Sequence, residues 1–172
     1  MSRFLMLVDS SENWNIIAFV IGDYITLKNF LNMLKRVLQE RRIHASRLTS
    51  EKKKKLISHL SSLNEYPFIA ICIRTKFKKL MKDIRGSLYI PKDKARAMTL
   101  RHILLVVRRI LVKKRIKISE IRVDREFSLF IRLISQVFGC NVIVEQDLTS
   151  LADVIAYLNK ISMERNILVV EL

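Results

Sequence analysis

Short β-branched apolar runs alternate along this chain with longer stretches whose apolar residues recur every three or four positions. A chain that switches between those two periods folds as a sheet covered by helices. The strand-like runs are Phe4–Val8, Trp14–Ile21, Tyr66–Ile73, Ile118–Val123, Asn141–Val144 and Ile167–Val170. Asp9, Ser10, Ser11, Glu12 and Asn13 carry turn chemistry between the first two, which predicts a β-hairpin. Leu27, Phe30, Leu31, Leu34, Val37 and Leu38 have helical spacing. So do Thr49–Leu63, Asp93–Arg115, Phe127–Phe138 and Ser150–Ile161. Thr49 or Ser50 and Thr149 or Ser150 are expected as N-caps, and Gly139 as a helix stop. Arg74–Arg85 is expected to be helical and broken by Gly86, with Leu88–Ile90 a short strand before Pro91. The expected fold class is α/β, a mixed sheet with helices packed on it.

One domain over residues 1–172 is expected. The length suits a single core, and three Gly and two Pro leave few places for linkers. Thirty-two Lys and Arg face sixteen acids, a formal charge of +16. That excess separates the chain from a thermophile-like surface, where Glu rises together with Lys. The charge is also segregated. Residues 28–59 hold ten Lys and Arg against two acids, and residues 74–117 hold sixteen against two. A basic face points to a polyanionic partner, nucleic acid first and an anionic membrane surface second.

Cys72 and Cys140 stand alone in apolar runs, and His44, His59 and His102 have no metal-ligand spacing. No zinc motif and no disulfide framework follow, and core or near-core thiols in a reducing, cytoplasmic setting are expected. Asp9, Glu12 and Asn13 interrupt the opening too early for a signal peptide. The apolar stretch Ile103–Val112 is split by Arg108 and Arg109 and is too short to span a membrane, so no transmembrane segment is expected.

Three aspartates occupy special points. Asp9 ends the first strand, Asp124 ends a later strand expected to be parallel, and Asp153 lies in the first turns of the last helix. Functional groups in open α/β sheets gather at strand ends. Three converging carboxylates suit Mg²⁺ or Mn²⁺, hard ions that take oxygen ligands and support phosphodiester chemistry. The plainer reading is that such acids cap helices or turns, and that Asp124 pairs with Arg122 or Arg125.

The segments Leu7-Val8-Asp9-Ser10-Ser11, Arg42-Ile43-His44-Ala45-Ser46, Val123-Asp124-Arg125 and Ser150-Leu151-Ala152-Asp153-Val154-Ile155-Ala156 resemble the ribonuclease-H-like superfamily. The resemblance is to an uncharacterised branch that opens with Asp-Glu-Ser-Gly and closes on an Ala-Asp helix. It implies a metal-dependent nuclease with Asp9, Asp124 and Asp153 as catalytic metal ligands. It also implies a fourth acid, for which Glu126 or Glu12 is available. Two positions depart from the pattern: Arg42 stands where the branch has Glu, and Asp-Ser-Ser-Glu replaces Asp-Glu-Ser-Gly.

Nucleic-acid contacts are expected from Lys76, Lys78, Lys79 and Arg85, and from Arg101, Arg108, Arg109, Lys113, Lys114 and Arg115. Phe77 is expected in the core or, with Tyr89, stacking on bases. Three functions follow. The first is a nuclease acting on RNA, an RNA–DNA hybrid or structured DNA. The second is a non-catalytic RNA-binding protein, as in a ribonucleoprotein, with a degenerate site. The third is a peripheral membrane protein with exposed apolar residues beside its lysines. Sequence leaves RNA against DNA, and oligomeric state, open.

Overall fold

In the computed structural model, which describes residues 4–11, 13–163 and 165–172, β1 (Phe4–Ser11) and β2 (Ile16–Gly22) form an antiparallel hairpin. β3 (Ile69–Arg74) continues it antiparallel to β2. β4 (Ile118–Val123) joins the other side of β1 in parallel, followed by β5 (Asn141–Val144), and β6 (Ile167–Glu171) runs parallel to β3. The mixed sheet has the order β5-β4-β1-β2-β3-β6.

Helices cover both faces. α1 (Tyr24–Leu38), α2 (Ser50–Ser62) and α6 (Ser150–Lys160) meet Leu5, Leu7, Ala18 and Val20. α3 (Phe77–Leu88), α4 (Lys92–Lys113) and α5 (Ile131–Phe138) meet Met6, Val8, Ile17 and Phe19. The two-residue period of a strand produces this division. Every residue of β2 is buried, as a strand covered on both faces requires.

The α/β class, the mixed sheet and the parallel placement of β4 agree with expectation. Several details differ. β1 runs on through Asp9 to Ser11, because ladder pairing with β2 continues to Ser11–Ile16. Gly86 lies inside α3 with open space where a side chain would be, so it costs helix propensity there without breaking the helix. Leu88–Ile90 is no strand: Leu88 ends α3, and Tyr89 turns through positive φ into α4. The expected 127–138 helix is a 3-10 segment (Arg125–Phe130) followed by α5. Thr49 caps α2 through its side chain, accepting from Lys52 N. Thr149 takes the N-cap position of α6 but makes no side-chain cap: its hydroxyl and that of Ser150 donate to the carbonyls of Glu145 and Asp147 instead. Gly139 closes α5 in the left-handed region at φ 68°.

Among the described residues no helix is long and apolar enough to cross a membrane. Phe19 is fully buried at the centre of the sheet, whereas Leu129 is 86% exposed. Chemical denaturation is therefore expected to show a loss of about 3–5 kcal/mol for Phe19→Ala. For Leu129→Ala the change should stay within about 0.5 kcal/mol.

Candidate functional site

β1 and β4 pair in parallel with Val8 beside Val123, and Asp124 N donates to Val8 O at 3.1 Å. Asp9 and Asp124 therefore leave adjacent strands side by side. Val8 and Val123 both face the α4 layer. Strand alternation consequently turns Asp9 and Asp124 toward the α6 layer. Asp153, in the first turn of α6, comes to the same place. Its Oδ2 accepts from Ala45 N at 2.7 Å, which pins the Arg42–Ser46 segment to the site. A short 3-10 helix (Ala45–Arg47) starts at that contact.

Glu126 approaches from the 3-10 segment after β4. Its carboxylate accepts from Ser10 Oγ and, at 3.1 Å, from Trp14 Nε1. Asp124 caps that segment, its Oδ1 accepting from Glu126 N at 3.4 Å. Asp124 thus does cap a turn, as the plainer reading expected, while standing within the acid group. The expected pairing with Arg122 is not made: Arg122 binds Glu120 at 2.8 Å and Glu145 at 2.6 Å.

Electrostatics tie the four acids together. Asp9 is pushed up to about 9, first by burial, then by the charges of Asp153 and Asp124, with a smaller push from Glu126. Ser10 N donates to Asp9 Oδ1 at 2.7 Å and opposes the rise only in part. Burial also raises Asp153, with Asp124 adding to it, against the Ala45 N–H and the nearby His44. Glu126 is raised by burial and by Asp124. Among the described residues no three His, Cys, Asp or Glu side chains already stand together as a ligand set. The donor chemistry nonetheless suits Mg²⁺ or Mn²⁺, because carboxylate oxygens are the ligands these ions prefer. Glu12 lies outside the described residues.

Beside Glu126, on the α4 side of the sheet, opens a cleft of about 370 Å³ lined by Ser10, Trp14, Lys78, Lys92, Arg96 and Glu126; Asp9, Asp124 and Asp153 do not line it. Its wall is built on a backbone that few residues adopt. Asn13 and Trp14 have φ of 56° and 73°, a region unfavourable for a bulky residue. Trp14 is held there by Phe77, Phe127 and Phe130, with ring centroids 4.5–5.6 Å away. Arg96 lies over Trp14, its guanidinium 4.5 Å from the ring centroid.

Lys76, Lys78, Lys79, Arg85, Arg101, Arg108, Arg109, Lys113, Lys114 and Arg115 are all exposed. They do not form one patch. Lys78 joins Lys92 and Arg96 at the acidic end. Arg108 lies twelve residues beyond Arg96 on α4, ~18 Å along the axis. Arg115 precedes β4 and so stands at the opposite end of that strand from Asp124. Phe77 is core, packed on Trp14, and is not a stacking surface, whereas Tyr89 is 96% exposed.

Sequence reasoning passed over Lys92, Arg96, Trp14 and His44 as members of this site. His44 carried a signal, because it sits in the segment that Asp153 anchors. Arg96 carried none, because its role depends on where α4 begins against Trp14. The sequence matches no protein-family model and no curated protein.

The sign of Asp9's perturbation sets a pH dependence. Its folded pKa lies above the unfolded one, so its contribution is most favourable below about pH 4 and is lost progressively as pH rises toward 9. Asp9→Asn should flatten this decline and raise Tm at pH 8 by several degrees (about 5 °C). Thermal melts of both proteins from pH 5 to 9 check it. Parallel curves would show that Asp9 is ionised throughout.

Proposed function

We propose that this protein binds nucleic acid and hydrolyses its phosphodiester bonds with a divalent cation, in the manner the ribonuclease-H-like resemblance implies. The observation that carries the reading is the approach of Asp9, Asp124, Asp153 and Glu126 where β1 and β4 run side by side, with Glu126 linking them to a cleft rimmed by Lys78, Lys92 and Arg96. A mixed sheet that opens with an Asp-bearing hairpin strand, has a parallel strand leading into an Asp and ends on an Asp-bearing helix supports it.

Asp9, Asp124 and Asp153 would hold Mg²⁺ or Mn²⁺, with Glu126 as the further ligand. When bound, the cation would supply charge neutralisation and an activated water. Lys78, Lys92 and Arg96 attract the nucleic-acid backbone to the Glu126 side of the strand ends, against the repulsion of the carboxylates. Arg96 is pre-positioned on Trp14, so little side-chain entropy is lost when it meets a phosphate. Asp153 orients the Arg42–Ser46 segment through Ala45 N and thereby keeps the charge of His44 within reach of its own carboxylate.

A second reading is a binding protein without hydrolysis. Its support is that Asp124, Asp153 and Glu126 each already serve a structural contact.

Cleavage of labelled RNA, RNA–DNA hybrid and branched DNA with Mg²⁺ or Mn²⁺ separates the two. Hydrolysis reduced about a hundredfold or more by Asp9→Asn is expected. Equal binding with no cleavage by either protein would leave the second reading standing.

The division of basic residues gives another test. Replacing Arg108, Arg109, Lys113 and Lys114 by Ala should weaken binding and flatten its salt dependence. The effect should appear for duplexes of about ten base pairs or more, the length of α4, and vanish for shorter ones. Equal losses on short and long duplexes would place that end of α4 at the site itself.

A further inference from the structure

A second cleft, of about 580 Å³, opens where β2, β3 and β6 meet, and none of the four acids of the first site lines it. Its walls are Asn15, Arg74, Thr75, Lys76, Asn159 and Lys160. Two of these residues carry buried polar atoms with no hydrogen-bond partner among the described residues: Thr75 Oγ1 and Asn159 Nδ2. Thr75 is 6% exposed and Asn159 fully buried. Leaving such groups unsatisfied is costly, so their coincidence in one cleft requires an explanation.

The rest of each residue is fixed. Thr75 N donates to Asn15 O at 2.8 Å. Asn159 Oδ1 accepts from Arg74 Nε at 2.9 Å, and Asn159 O accepts from Arg74 Nη2 at 2.8 Å. Because Oδ1 is committed to a donor, the amide orientation is set and Nδ2 is left as a donor awaiting an acceptor. Thr75 also stands at the start of α3, whose N-cap position, Lys76, makes no side-chain cap. The first-turn N–H groups of that helix thus favour negative charge beside the cleft. Lys76 and Lys160 are exposed on the rim. Glu171, the carboxylate here, is drawn to Arg74 Nη1 at 3.3 Å.

We propose that this cleft is a phosphate-binding site, distinct from the acidic centre, in which Thr75 Oγ and Asn159 Nδ2 donate to a phosphate oxygen and Lys76 neutralises it. Two hydrogen-bond donors, an uncapped helix start and a lysine on the rim suit an oxyanion that presents several acceptors.

The test is titration of the full chain with inorganic phosphate, a 5′-mononucleotide and a 5′-phosphorylated single-stranded oligonucleotide, each followed by calorimetry and by Tm. Saturable binding is expected, with a rise in Tm. Thr75→Val, which removes only the unpartnered hydroxyl, should weaken binding about tenfold or more without lowering the Tm of the ligand-free protein. Lys76→Ala, at an exposed position, should weaken it in the same direction. Binding of inorganic phosphate and mononucleotide would assign the site to small phosphates. Binding of the oligonucleotide alone, still sensitive to both variants, would assign it to a strand. No saturable binding of any probe up to about 10 mM, or affinities unchanged in both variants, would overturn the proposal and leave the two polar groups to water. Asp9→Asn should leave these affinities unaltered, so failure here and failure of the hydrolytic reading are separable.

Discussion

The carboxyl of Asp9 is held out of water at the end of the central strand, with Asp153, Asp124 and Glu126 around it. Acids whose charges reach one another repel, and burial strengthens the repulsion. The fold tolerates this by keeping a proton on Asp9, pushed up to about 9, and by giving Asp153 and Glu126 hydrogen-bond donors. A proton is one means of relieving the charge, and a divalent cation is another. The proposed activity is the chemical use of that second means.

The remaining architecture serves to bring those acids together. Parallel pairing of β1 with β4 puts Asp9 and Asp124 side by side, and α6 crosses the same face to deliver Asp153. On the other face the aromatic group around Trp14 fixes a turn with positive φ, and through it the ring on which Arg96 rests. The positive charge is correspondingly divided: a few cations stand at the acids, and many lie along and beyond α4, where only an extended polyanion reaches both.

Much of this was legible in the sequence because strand and helix periods differ. The hairpin, the parallel β4, Asp124 just after β4 and Asp153 in the first turn of the last helix follow from the apolar spacing, whereas Asp9, read as the end of β1, lies within it. What could not be read depends on tertiary context. Gly86 reads as a breaker, but packing of α3 on α4 overrides local propensity. Thr149 and Ser150 read as caps, but their hydroxyls turn to nearby carbonyls. The basic segments read as one face because sequence distance along α4 hides ~18 Å of separation from Arg96 to Arg108. Arg96 and Lys92 look like any other cation in that run until Trp14 is placed beneath one and the cleft beside both.

The central claim is that the four carboxylates exchange a proton for a metal ion. Calorimetric titration with Mn²⁺ at pH 7, in two buffers of different ionisation heat, measures both events at once. The account predicts saturable binding with release of close to one proton, and loss of both in Asp9→Asn. Absence of Mn²⁺ binding, or binding that releases no proton and survives Asp9→Asn, would contradict it.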